Sequence, residues 1–532
     1  MNRSASLMIV GTASHVGKSV LCAGLCRLLK QDGHAVAPFK AQNMSLNSAV
    51  TPSGREIGRA QAVQAEAAGI LPNEHMNPIL LKPTGAARTQ VVLQGRVHAT
   101  VSAREYFTAR RDDLWAAVCE SYAHLRERHE VVVIEGAGSP VELNLKARDI
   151  VNMRVAEMAD AVVILVADID RGGVFAAVVG TLALLTPAER ARVRGVIVNN
   201  FRGDSALFAD GVALLEACAG IPVLGVIPHI PDLRLDEEDS LGLTGRRYRG
   251  RGDAGDAADR LRIAVIRLPY MANFTDIDPL FLEPDVDAAF VADAGGLIGV
   301  DAVILPGTKN TVDDMLWLDE SGLAAAVRGA ARAGVAVFGI CGGFQMLGRR
   351  VDDPHGVETD RGGTDGICLL PHSTTLLQEK TTLLVSATLR GVYAGISVRG
   401  YEIHMGLTDL DGAAPFGAVD GTRVDGAMSD DGRIAGTYLH GVMHNAGFRR
   451  AWLNRLRERR GWPPLALTAA VDAPGEQEYD RFAGIVRRHL DLARIYGWLG
   501  LPVAGSEEAA APSARASGSA DALHTLPRGS WT

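Results

Sequence analysis

A glycine-rich segment near the N-terminus carries the residue types that bind nucleotide phosphates. Gly11, Thr12, Gly17, Lys18 and Ser19 lie between an apolar run and an apolar helical pattern. A strand, a glycine loop and a helix in this order present backbone N–H groups and a helix N-terminus to phosphate oxygens. Lys18 would reach the terminal phosphates of ATP, and the Ser19 hydroxyl would bind Mg²⁺. The first glycine lies one position before the common spacing, so a plain glycine-rich turn with an exposed lysine is the alternative.

One carboxylate of the first half is placed where parallel sheets bind ligands. Glu135 follows the apolar run Val131–Ile134 and precedes Gly136 and Gly138. Ligand sites of open parallel sheets lie at the carboxyl ends of the strands. Glu135 is therefore predicted to hold Mg²⁺, directly or through water, and a helix-capping acid is the alternative.

Two more polar pairs follow the next apolar runs. Asp168 and Asp170 suit an anion or metal site, although a salt-bridged turn explains them nearly as well. Asn199 and Asn200 are candidates for reading an adenine edge, but asparagine is also common in turns.

A cysteine in the second half has the surroundings of a nucleophile. Cys341 follows the apolar run Val335–Ile340 and is framed by Gly339, Gly342 and Gly343. A tight strand-to-helix turn presents such a side chain to substrate, and the helix N-terminus stabilises its thiolate. The Gly342 N–H would point to where an oxyanion develops. A buried, inert thiol is the alternative, because most cysteines are of that kind.

This chemistry also needs a base and a second N–H donor. His440 ends a short strand-like segment, where it can meet a cysteine from another strand end. Most of the 14 histidines are expected to be structural, and context alone selects His440. Gly307, which follows the apolar run Ala302–Leu305, is the candidate for the second donor.

Short β-branched runs alternate with helical patterns along the chain, as parallel α/β sheets require. Buried strands are predicted at Leu7–Val10, Val131–Ile134, Val162–Ala167, Val193–Val198, Arg262–Leu268, Ala302–Leu305 and Val335–Ile340. The predicted fold class is α/β with two doubly wound domains, the first of them a phosphate-loop NTPase-like parallel sheet.

Changes in composition set the expected domain limits. They are an ATP-binding domain at 1–240, a Gly-, Arg- and Asp-rich linker at 241–260, a second domain at 261–502 and a tail at 503–532. Helical patterns near Arg449–Arg459 and Tyr479–Tyr496 are expected to close the second domain. The tail loses the apolar period and is predicted to be disordered.

Composition excludes several classes of protein. The 532 residues exceed one ordinary core, and 47% hydrophobic with 22% charged residues is typical of soluble globular chains. With 54 Lys and Arg against 62 Asp and Glu, the net charge of -8 argues against bulk nucleic-acid binding. Six cysteines without a CxxC pair indicate neither a disulfide scaffold nor a structural zinc site. No apolar run has the length of a signal peptide or a membrane span, so the reducing cytoplasm is the expected location.

Five further segments are typical of one enzyme family. They are Pro38–Asn47, Met76–Pro83, Asp168–Phe175, Asn200–Asp204 and Gly400–Gly406. With the phosphate loop and the Cys341 turn, the chain resembles the glutamine-hydrolysing cobyric acid synthases from about Ser6 to Leu499. The first half resembles dethiobiotin synthetase-like domains, whose phosphate loop has the same early glycine. The second half resembles class I glutamine amidotransferases of the cobyric/cobyrinic type.

The resemblance implies a reaction. Adenosylcobyrinic acid a,c-diamide, a corrinoid, would be amidated on its b, d, e and g side chains, each step using one ATP and one glutamine. ATP would convert the unreactive carboxylate to an acyl phosphate. Ammonia would be released locally from glutamine, because free ammonia is mostly protonated at neutral pH.

The resemblance also implies roles for residues. Cys341 would attack the glutamine amide and His440 would shuttle the proton, leaving a thioester that water hydrolyses to glutamate. Lys18, Ser19 and Glu135 would handle ATP and Mg²⁺. Two smaller assignments complete the set: Lys40 near the phosphates, and Tyr401 with His404 lining the glutamine pocket.

One departure from the wider amidotransferase pattern concerns the third catalytic residue. Many class I enzymes carry Glu two residues after the histidine, whereas Gly441 and Val442 follow His440 here. The third position is therefore unassigned, with Glu402 as a weak candidate, and a cysteine–histidine pair without a third member is the alternative.

Other functions remain open at this stage. Cobyrinic acid a,c-diamide synthase shares both domains, and the segment Gln42–Asn47 favours the cobyric acid enzyme. An amidotransferase that amidates cell-wall precursors usually divides the two halves between chains. A phosphate-loop partition ATPase would have no use for the Cys341 turn. The oligomeric state and the corrin-contacting residues are not predicted.

Overall fold

The computed structural model describes residues 4–85, 88–108, 112–233, 235, 260–467 and 475–502. The predicted tail at 503–532, and all but the last residue of the predicted linker at 241–260, lie outside these residues. Within the described ranges no helix has both the length and the apolar character needed to span a bilayer.

Twelve strands and eight α-helices make up the described part of the chain before residue 235. The strands are β1 (Ala5–Gly11), β2 (Val36–Phe39), β3 (Gln42–Met44), β4 (Ser48–Val50), β5 (Glu56–Gly58), β6 (Ile79–Thr84), β7 (Arg88–Leu93), β8 (Arg96–Ser102), β9 (Val131–Glu135), β10 (Val162–Asp168), β11 (Val193–Phe201) and β12 (Val223–Pro228). The helices are α1 (Lys18–Gln31), α2 (Arg59–Ala68), α3 (Ala103–Thr108), α4 (Asp112–Arg126), α5 (Met153–Met158), α6 (Val174–Leu184), α7 (Pro187–Arg192) and α8 (Ala209–Ala219).

Twelve more strands and seven α-helices follow in the described residues from 260 onward. The strands are β13 (Leu261–Ile266), β14 (Val286–Val291), β15 (Ala302–Leu305), β16 (Ala336–Ile340), β17 (Arg350–Asp352), β18 (Gly363–Asp365), β19 (Ser373–Leu389), β20 (Ser397–Asp409), β21 (Gly417–Val419), β22 (Arg423–Asp425), β23 (Ala427–Met428) and β24 (Ile434–Thr437). The helices are α9 (Asp278–Leu282), α10 (Thr311–Glu320), α11 (Leu323–Arg332), α12 (Gly342–Leu347), α13 (Ala446–Arg459), α14 (Glu476–His489) and α15 (Leu492–Leu499).

The first half is built on a parallel sheet with strand order β12-β11-β10-β1-β9-β2. Its central strands β1, β9 and β10 are apolar on both faces because helices cover both sides. The phosphate loop and Glu135 both lie at the carboxyl ends of these strands, since β1 and β9 are neighbours.

The second half is built on a sheet of order β14-β13-β15-β16-β24-β23, parallel except for the edge strand β23. Its neighbours β15, β16 and β24 lead directly to Gly307, Cys341 and His440. The α/β fold class with two doubly wound sheets is therefore confirmed, and the strands predicted in both halves are present.

Smaller, mainly antiparallel sheets, which were not predicted from the sequence, lie between the two parallel sheets. In the first half β3-β6-β7-β8 form a small sheet, and β4 pairs with β5. In the second half the long strands β19 and β20 form an antiparallel pair. Buried contacts between the β4–β5 region and the second half place these additions at the boundary between the halves.

The C-terminal helices divide between the two cores. Helix α13 packs in the core of the second half, whereas α14 and α15 pack in the first half against α1 and the parallel sheet. Arg27 of α1 pairs with Asp480 at 2.6 Å, and the Asp491 N–H donates to the Leu224 carbonyl at 2.8 Å.

This packing corrects the expectation that the segment Tyr479–Tyr496 closes the domain at 261–502. An amphipathic helix shows in its sequence which face it buries, but not against which core it packs. The other domain limits stay predictions.

Candidate active sites: a phosphate loop and a cysteine–histidine–aspartate cluster

The loop between β1 and α1 has the shape that a phosphate cradle requires. Gly17 has φ 94°, and a Cβ there would lie 2.2 Å from the side-chain nitrogen of Asn199. Lys18 begins α1, and its Nζ donates to the carbonyls of Ala13 at 3.0 Å and Gly138 at 3.1 Å. The ammonium group therefore lies over the loop, close to the carboxyl end of β9.

Glu135 lies at the centre of a buried hydrogen-bonded cluster. Its Oε1 accepts from Ser19 Oγ at 2.7 Å and from Lys40 Nζ at 2.9 Å, and its Oε2 accepts from Gln64 at 2.6 Å. Burial opposes the charged carboxylate, but Lys40 and these hydrogen bonds hold the pKa of Glu135 below its ordinary value. Lys40, Ser19 and Glu135 are thus brought together as predicted.

Two members of this cluster were not predicted from the sequence. Gln61 and Gln64 lie three residues apart on one face of α2, and both amide groups point to Glu135, at 3.4 and 2.6 Å. The spacing of two glutamines on a short helix was the available signal.

The oxygen atoms in this cluster suit a hard cation. Ser19 Oγ and the Glu135 carboxylate are adjacent, and Mg²⁺ prefers a few protein oxygens together with water and phosphate oxygens. Among the described residues no group of three or more His, Cys, Asp or Glu forms an all-protein metal cage. The residues present therefore fit a cation shared with a nucleotide.

Asn199 contacts the loop rather than lying apart from it. Its Nδ2 donates to the Val16 carbonyl at 2.9 Å, so the side chain braces the phosphate loop from β11. Asn200 adopts φ 62°, a left-handed conformation that asparagine tolerates. Adenine recognition by this pair stays a prediction. Thr12 continues from β1, and its N–H donates to the Val166 carbonyl of β10 at 2.9 Å.

Asp168 and Asp170 form the turn that was the alternative interpretation. Asp170 pairs with Arg202 at 2.6 Å, and Arg171 lies 3.7 Å from Asp168. The Asp170 N–H also donates to the Asp168 carboxylate at 2.8 Å. These contacts describe a salt-bridged turn.

Cys341 lies at a sharp turn between β16 and α12. Its φ of 51° is unusual for a residue other than glycine, and the side chain is buried at 5% exposure. A Cβ on Gly343 would lie 2.0 Å from the Leu305 carbonyl oxygen, so only glycine fits there. The glycine framing that predicted this turn therefore has a steric cause.

His440 follows β24 and is held by a carboxylate that sequence analysis missed. Asp276 Oδ2 lies 2.6 Å from His440 Nδ1, and Asp276 Oδ1 accepts the Gly441 N–H at 2.8 Å. Both side chains are at most 3% exposed. Burial lowers the pKa of His440, but the charge of Asp276, a charged Cys341 and hydrogen bonds to both raise it to about 10. The structure thus assembles Cys341, His440 and Asp276 in the order of a catalytic triad.

Asp276 comes from the turn Phe274–Ile277, far from Cys341 and His440 in the sequence. Glu402, the weak candidate for this position, is instead paired with Arg423 at 2.8 Å and lies 3.5 Å from His404. That candidate is therefore wrong, because its carboxylate is used in another ion pair. No spacing rule ties Asp276 to His440, so the chain offered no direct signal.

Tyr401 and His404 lie on β20 beside the cluster. The backbones of Tyr401 and His440 form an antiparallel bridge, and their rings stack with centroids 5.2 Å apart. His404 stacks on Tyr438 at 3.8 Å and lines the same cavity as Cys341. The structure therefore brings His404 to the cavity and Tyr401 against the His440 ring.

The two predicted N–H donors flank the cysteine. A Cβ on Gly307 would lie 2.9 Å from His440 Cε1 and 3.8 Å from Cys341 Cβ. Gly342 is the first residue of α12, where a backbone N–H has no partner within the helix. Their role as an oxyanion hole stays a prediction.

The cavity next to Cys341 has walls from both halves. Lys82 comes from the first half, and Lys309, Glu358 and Lys380 from the second. Lys82 and Lys380 both contact Glu56, which is 1% exposed. Burial opposes the charged form of Glu56, but the two lysines hold its pKa well below its ordinary value. This buried ion cluster fixes the first half against the cavity beside Cys341.

Comparison with known proteins finds a family match for each half of the chain. The CobQ/CobB/MinD/ParA nucleotide binding domain family matches residues 7–241, and the CobB/CobQ-like glutamine amidotransferase domain family matches residues 262–448. Among solved structures, a glutamine amidotransferase is matched over 37% of this chain and 98% of its own, with TM-score 0.29 and 16% identity. The PurLQS structure from Thermotoga maritima is matched over 43% and 99%, with TM-score 0.28 and 16% identity.

Curated relatives match nearly the whole chain. The cobyric acid synthase of Syntrophobacter fumaroxidans is 49% identical over 94% of this chain and 100% of its own length. Those of Sorangium cellulosum and Klebsiella pneumoniae are also 49% identical, over 93% and 92% of this chain and 99% and 97% of their own. The chain therefore belongs to the cobyric acid synthase family, whose members perform glutamine-dependent amidation in cobalamin biosynthesis.

Proposed function

We propose that this enzyme amidates the b, d, e and g carboxylates of adenosylcobyrinic acid a,c-diamide, with one ATP and one glutamine for each amide. The observation that carries the proposal is the 49% identity to a cobyric acid synthase over 94% of the chain. The family matches at residues 7–241 and 262–448 hold the two candidate sites. Such a ligase requires an activated carboxylate and a local source of ammonia. The first half activates the carboxylate with ATP, and the second half releases ammonia from glutamine.

The glutamine reaction belongs to the second half. His440 Nε2 takes the proton of Cys341 while Asp276 holds Nδ1, and the sulfur attacks the side-chain amide carbon of glutamine. The oxygen becomes an oxyanion near the N–H groups of Gly307 and Gly342. The C–N bond then breaks, His440 returns the proton to the leaving ammonia, and water hydrolyses the thioester to glutamate.

The ATP reaction belongs to the first half. Lys18 and the loop N–H groups would neutralise the phosphates, and Lys40 would lie beside them. Ser19 and Glu135 would hold Mg²⁺, which would supply further charge neutralisation at the phosphate oxygens. The substrate carboxylate attacks the terminal phosphorus of ATP, ADP leaves, and an acyl phosphate forms. Ammonia then attacks the acyl carbon, phosphate leaves, and the nitrogen loses one proton to give the amide.

A cytoplasmic location is part of the proposal. The cysteines of the described residues, including exposed Cys218 and Cys368, are all free thiols, which persist in a reducing compartment. The partners proposed for the chain are the corrinoid, ATP and glutamine, with no nucleic acid and no membrane.

Mass analysis of the corrinoid tests this proposal. The diamide is incubated with enzyme, ATP, Mg²⁺ and either glutamine or ammonium chloride. We expect four successive exchanges of an acid for an amide with either nitrogen source. Two amidations of cobyrinic acid itself, and none of the diamide, would assign the enzyme to the a,c-diamide step instead.

A further inference from the structure

A short chain of hydrogen bonds crosses the boundary between the halves and ends on His440. The Ser48 N–H of β4 donates to Asn273 Oδ1 at 2.8 Å, and Asn273 Nδ2 lies 3.3 Å from His440 Nε2. Next to it, the Phe274 N–H donates to Asn47 Oδ1 at 3.2 Å. All of these contacts are buried, so water does not compete with them.

The orientation of the Asn273 amide is fixed by its partner in the first half. The Ser48 N–H is a donor and needs the amide oxygen, so the NH₂ group must face His440. Nε2 can accept a hydrogen bond from this NH₂ group only when His440 is neutral, with its proton on Nδ1, facing Asp276.

The Asn273 contact therefore favours the neutral imidazole, whereas the charges of Asp276 and Cys341 favour the charged one. The contact thus opposes the proton transfer that starts the glutamine reaction. Once His440 has taken the Cys341 proton, Nε2–H and the Asn273 NH₂ group are two donors facing each other. The His440 ring does not need Asn273 for its orientation, because Asp276 binds Nδ1 and the Tyr401 ring stacks on it. Asn273 contacts the one atom that must be available to the thiol.

In the first half of the protein, the residues that contact Asn273 are connected to the ATP site. Lys40, which binds Glu135, and Asn47 belong to the same short stretch between β2 and β4. Asn43 of that stretch donates to Gln61 at 3.0 Å, and Gln61 donates to Glu135. A change at Glu135 therefore has a direct path to Asn47 and Ser48.

We infer that Asn273 is a positioning residue that restrains His440 until the first half is occupied, when movement of the Asn47–Ser48 backbone releases the amide. Asn273 can then turn its oxygen toward Nε2–H and stabilise the charged imidazole. The link to ATP and corrinoid rests on the proposed function, whereas the restraint itself rests only on the contacts of His440.

Two variants distinguish whether Asn273 restrains proton transfer to His440 or merely supports the structure of the site. Asn273→Gly removes the side chain and tolerates the φ of 52° found here, and Asn273→Asp keeps the acceptor for Ser48 while removing the donor. Asn454→Ala, which removes an asparagine that binds only the Leu465 backbone, is the control. Circular dichroism and thermal unfolding verify that each variant is folded.

Glutamate release is measured with glutamine alone, then with ATP and Mg²⁺, then with the diamide added. We expect glutamine alone to be hydrolysed about fivefold faster by both Asn273 variants than by the wild type, the effect of one net hydrogen bond. The stimulation by ATP and diamide should shrink toward one, and ammonium-supported amidation should stay intact. The control should behave as the wild type.

Unchanged or slower hydrolysis of glutamine alone in both folded variants would overturn the inference, because a residue that merely supports the site can only lower the rate when removed. Failure of the proposed function appears elsewhere, as a wild type that amidates no corrinoid with either glutamine or ammonium. In that case glutamine hydrolysis without other substrates still decides the restraint.

Discussion

The two sites of this protein are built in opposite ways. The phosphate side is formed mostly by one continuous stretch, Gly11 to Ser19, with Glu135 from the neighbouring strand. The glutamine side is assembled from residues that follow β13, β15, β16 and β24, and its carboxylate Asp276 comes from the single 3₁₀ turn Phe274–Ile277. A continuous loop encodes its own shape, whereas a dispersed cluster exists only once the sheet has formed.

The charges differ as well. Glu135 is surrounded by a lysine, a hydroxyl and two amides that leave it ionised. His440 is held between Asp276 and Cys341, so its charge depends on where the thiol proton is. The first site is prepared for binding an anion and a cation, and the second for moving a proton.

Replacing the nucleophile should abolish the glutamine reaction and leave the ATP reaction intact. In Cys341→Ala we expect glutamine-dependent amidation to fall by at least about a thousandfold, because no thioester can form. Ammonium-supported amidation should remain near the wild-type rate. Both rates are measured by mass analysis of the corrinoid.

Cys218→Ala, which removes an exposed cysteine on α8, is the matched control and should change neither rate. Loss of the ammonium-supported reaction in Cys341→Ala would show that the two sides are not separable.

Replacing the phosphate-loop lysine should impair the ATP reaction and leave glutamine hydrolysis intact. In Lys18→Met we expect amidation with either nitrogen source to fall about a hundredfold or more, because the charge over the phosphates is lost. Glutamine hydrolysis without ATP should stay within about twofold of the wild-type rate. Lys30→Met, in the last turn of the same helix, serves as control. Equal losses in both variants would contradict a role for Lys18 at the loop.

Asp276→Asn tests the carboxylate that binds His440 Nδ1. We expect glutamine hydrolysis to fall about a hundredfold, because an amide NH₂ facing Nδ1 favours the wrong tautomer of His440. Ammonium-supported amidation should again be retained. A loss of less than about threefold would mean that Cys341 and His440 suffice as a pair.

The same variant has a pH signature in stability. The folded protein raises the pKa of His440 from 6.5 to about 10, so the stabilisation is complete below pH 6.5 and is lost as pH rises to about 10. We expect the difference in unfolding free energy between the wild type and Asp276→Asn to follow this course. Urea unfolding at several pH values measures it, and a difference that grows between pH 7 and 10 would contradict the assignment.

Glu402→Gln should have the smallest effect. Its carboxylate pairs with half-exposed Arg423 and lies beside His404, away from His440 Nδ1. We therefore expect glutamine hydrolysis to change by less than about threefold. Steady-state rates of Glu402→Gln and Asp276→Asn measured side by side give the comparison, and a larger loss in the former would reverse the assignment of the third residue.

The sequence was informative wherever the chemistry depends on neighbouring residues. The phosphate loop and the Cys341 turn were found because glycine is required at Gly17 and Gly343 by close contacts with other atoms. The parallel strands were found because both of their faces are buried. Lys40, Tyr401 and His404 were placed through resemblance to a family, and the structure brings them to the two sites.

Site residues that depend only on tertiary contacts were not predicted from the sequence. Asp276 lies in a turn without regular periodicity, and only the packing of that turn against the segment after β24 makes it a partner of His440. Gln61 and Gln64 look like ordinary polar helix residues until α2 is placed beside Glu135. The packing of α14 in the core of the first half was not predicted for the same reason. Its apolar face shows that the helix is partly buried but not which core covers it.

The position of α14 and α15 has a consequence for synthesis on the ribosome. The core of the first half includes Phe482, Val486 and Tyr496, which are made only after the whole amidotransferase half. The N-terminal sheet therefore emerges first but completes its packing last, while the second half can fold in between. A chain interrupted before residue 475 would keep its glutamine side and lose the support of the helix that begins with Lys18.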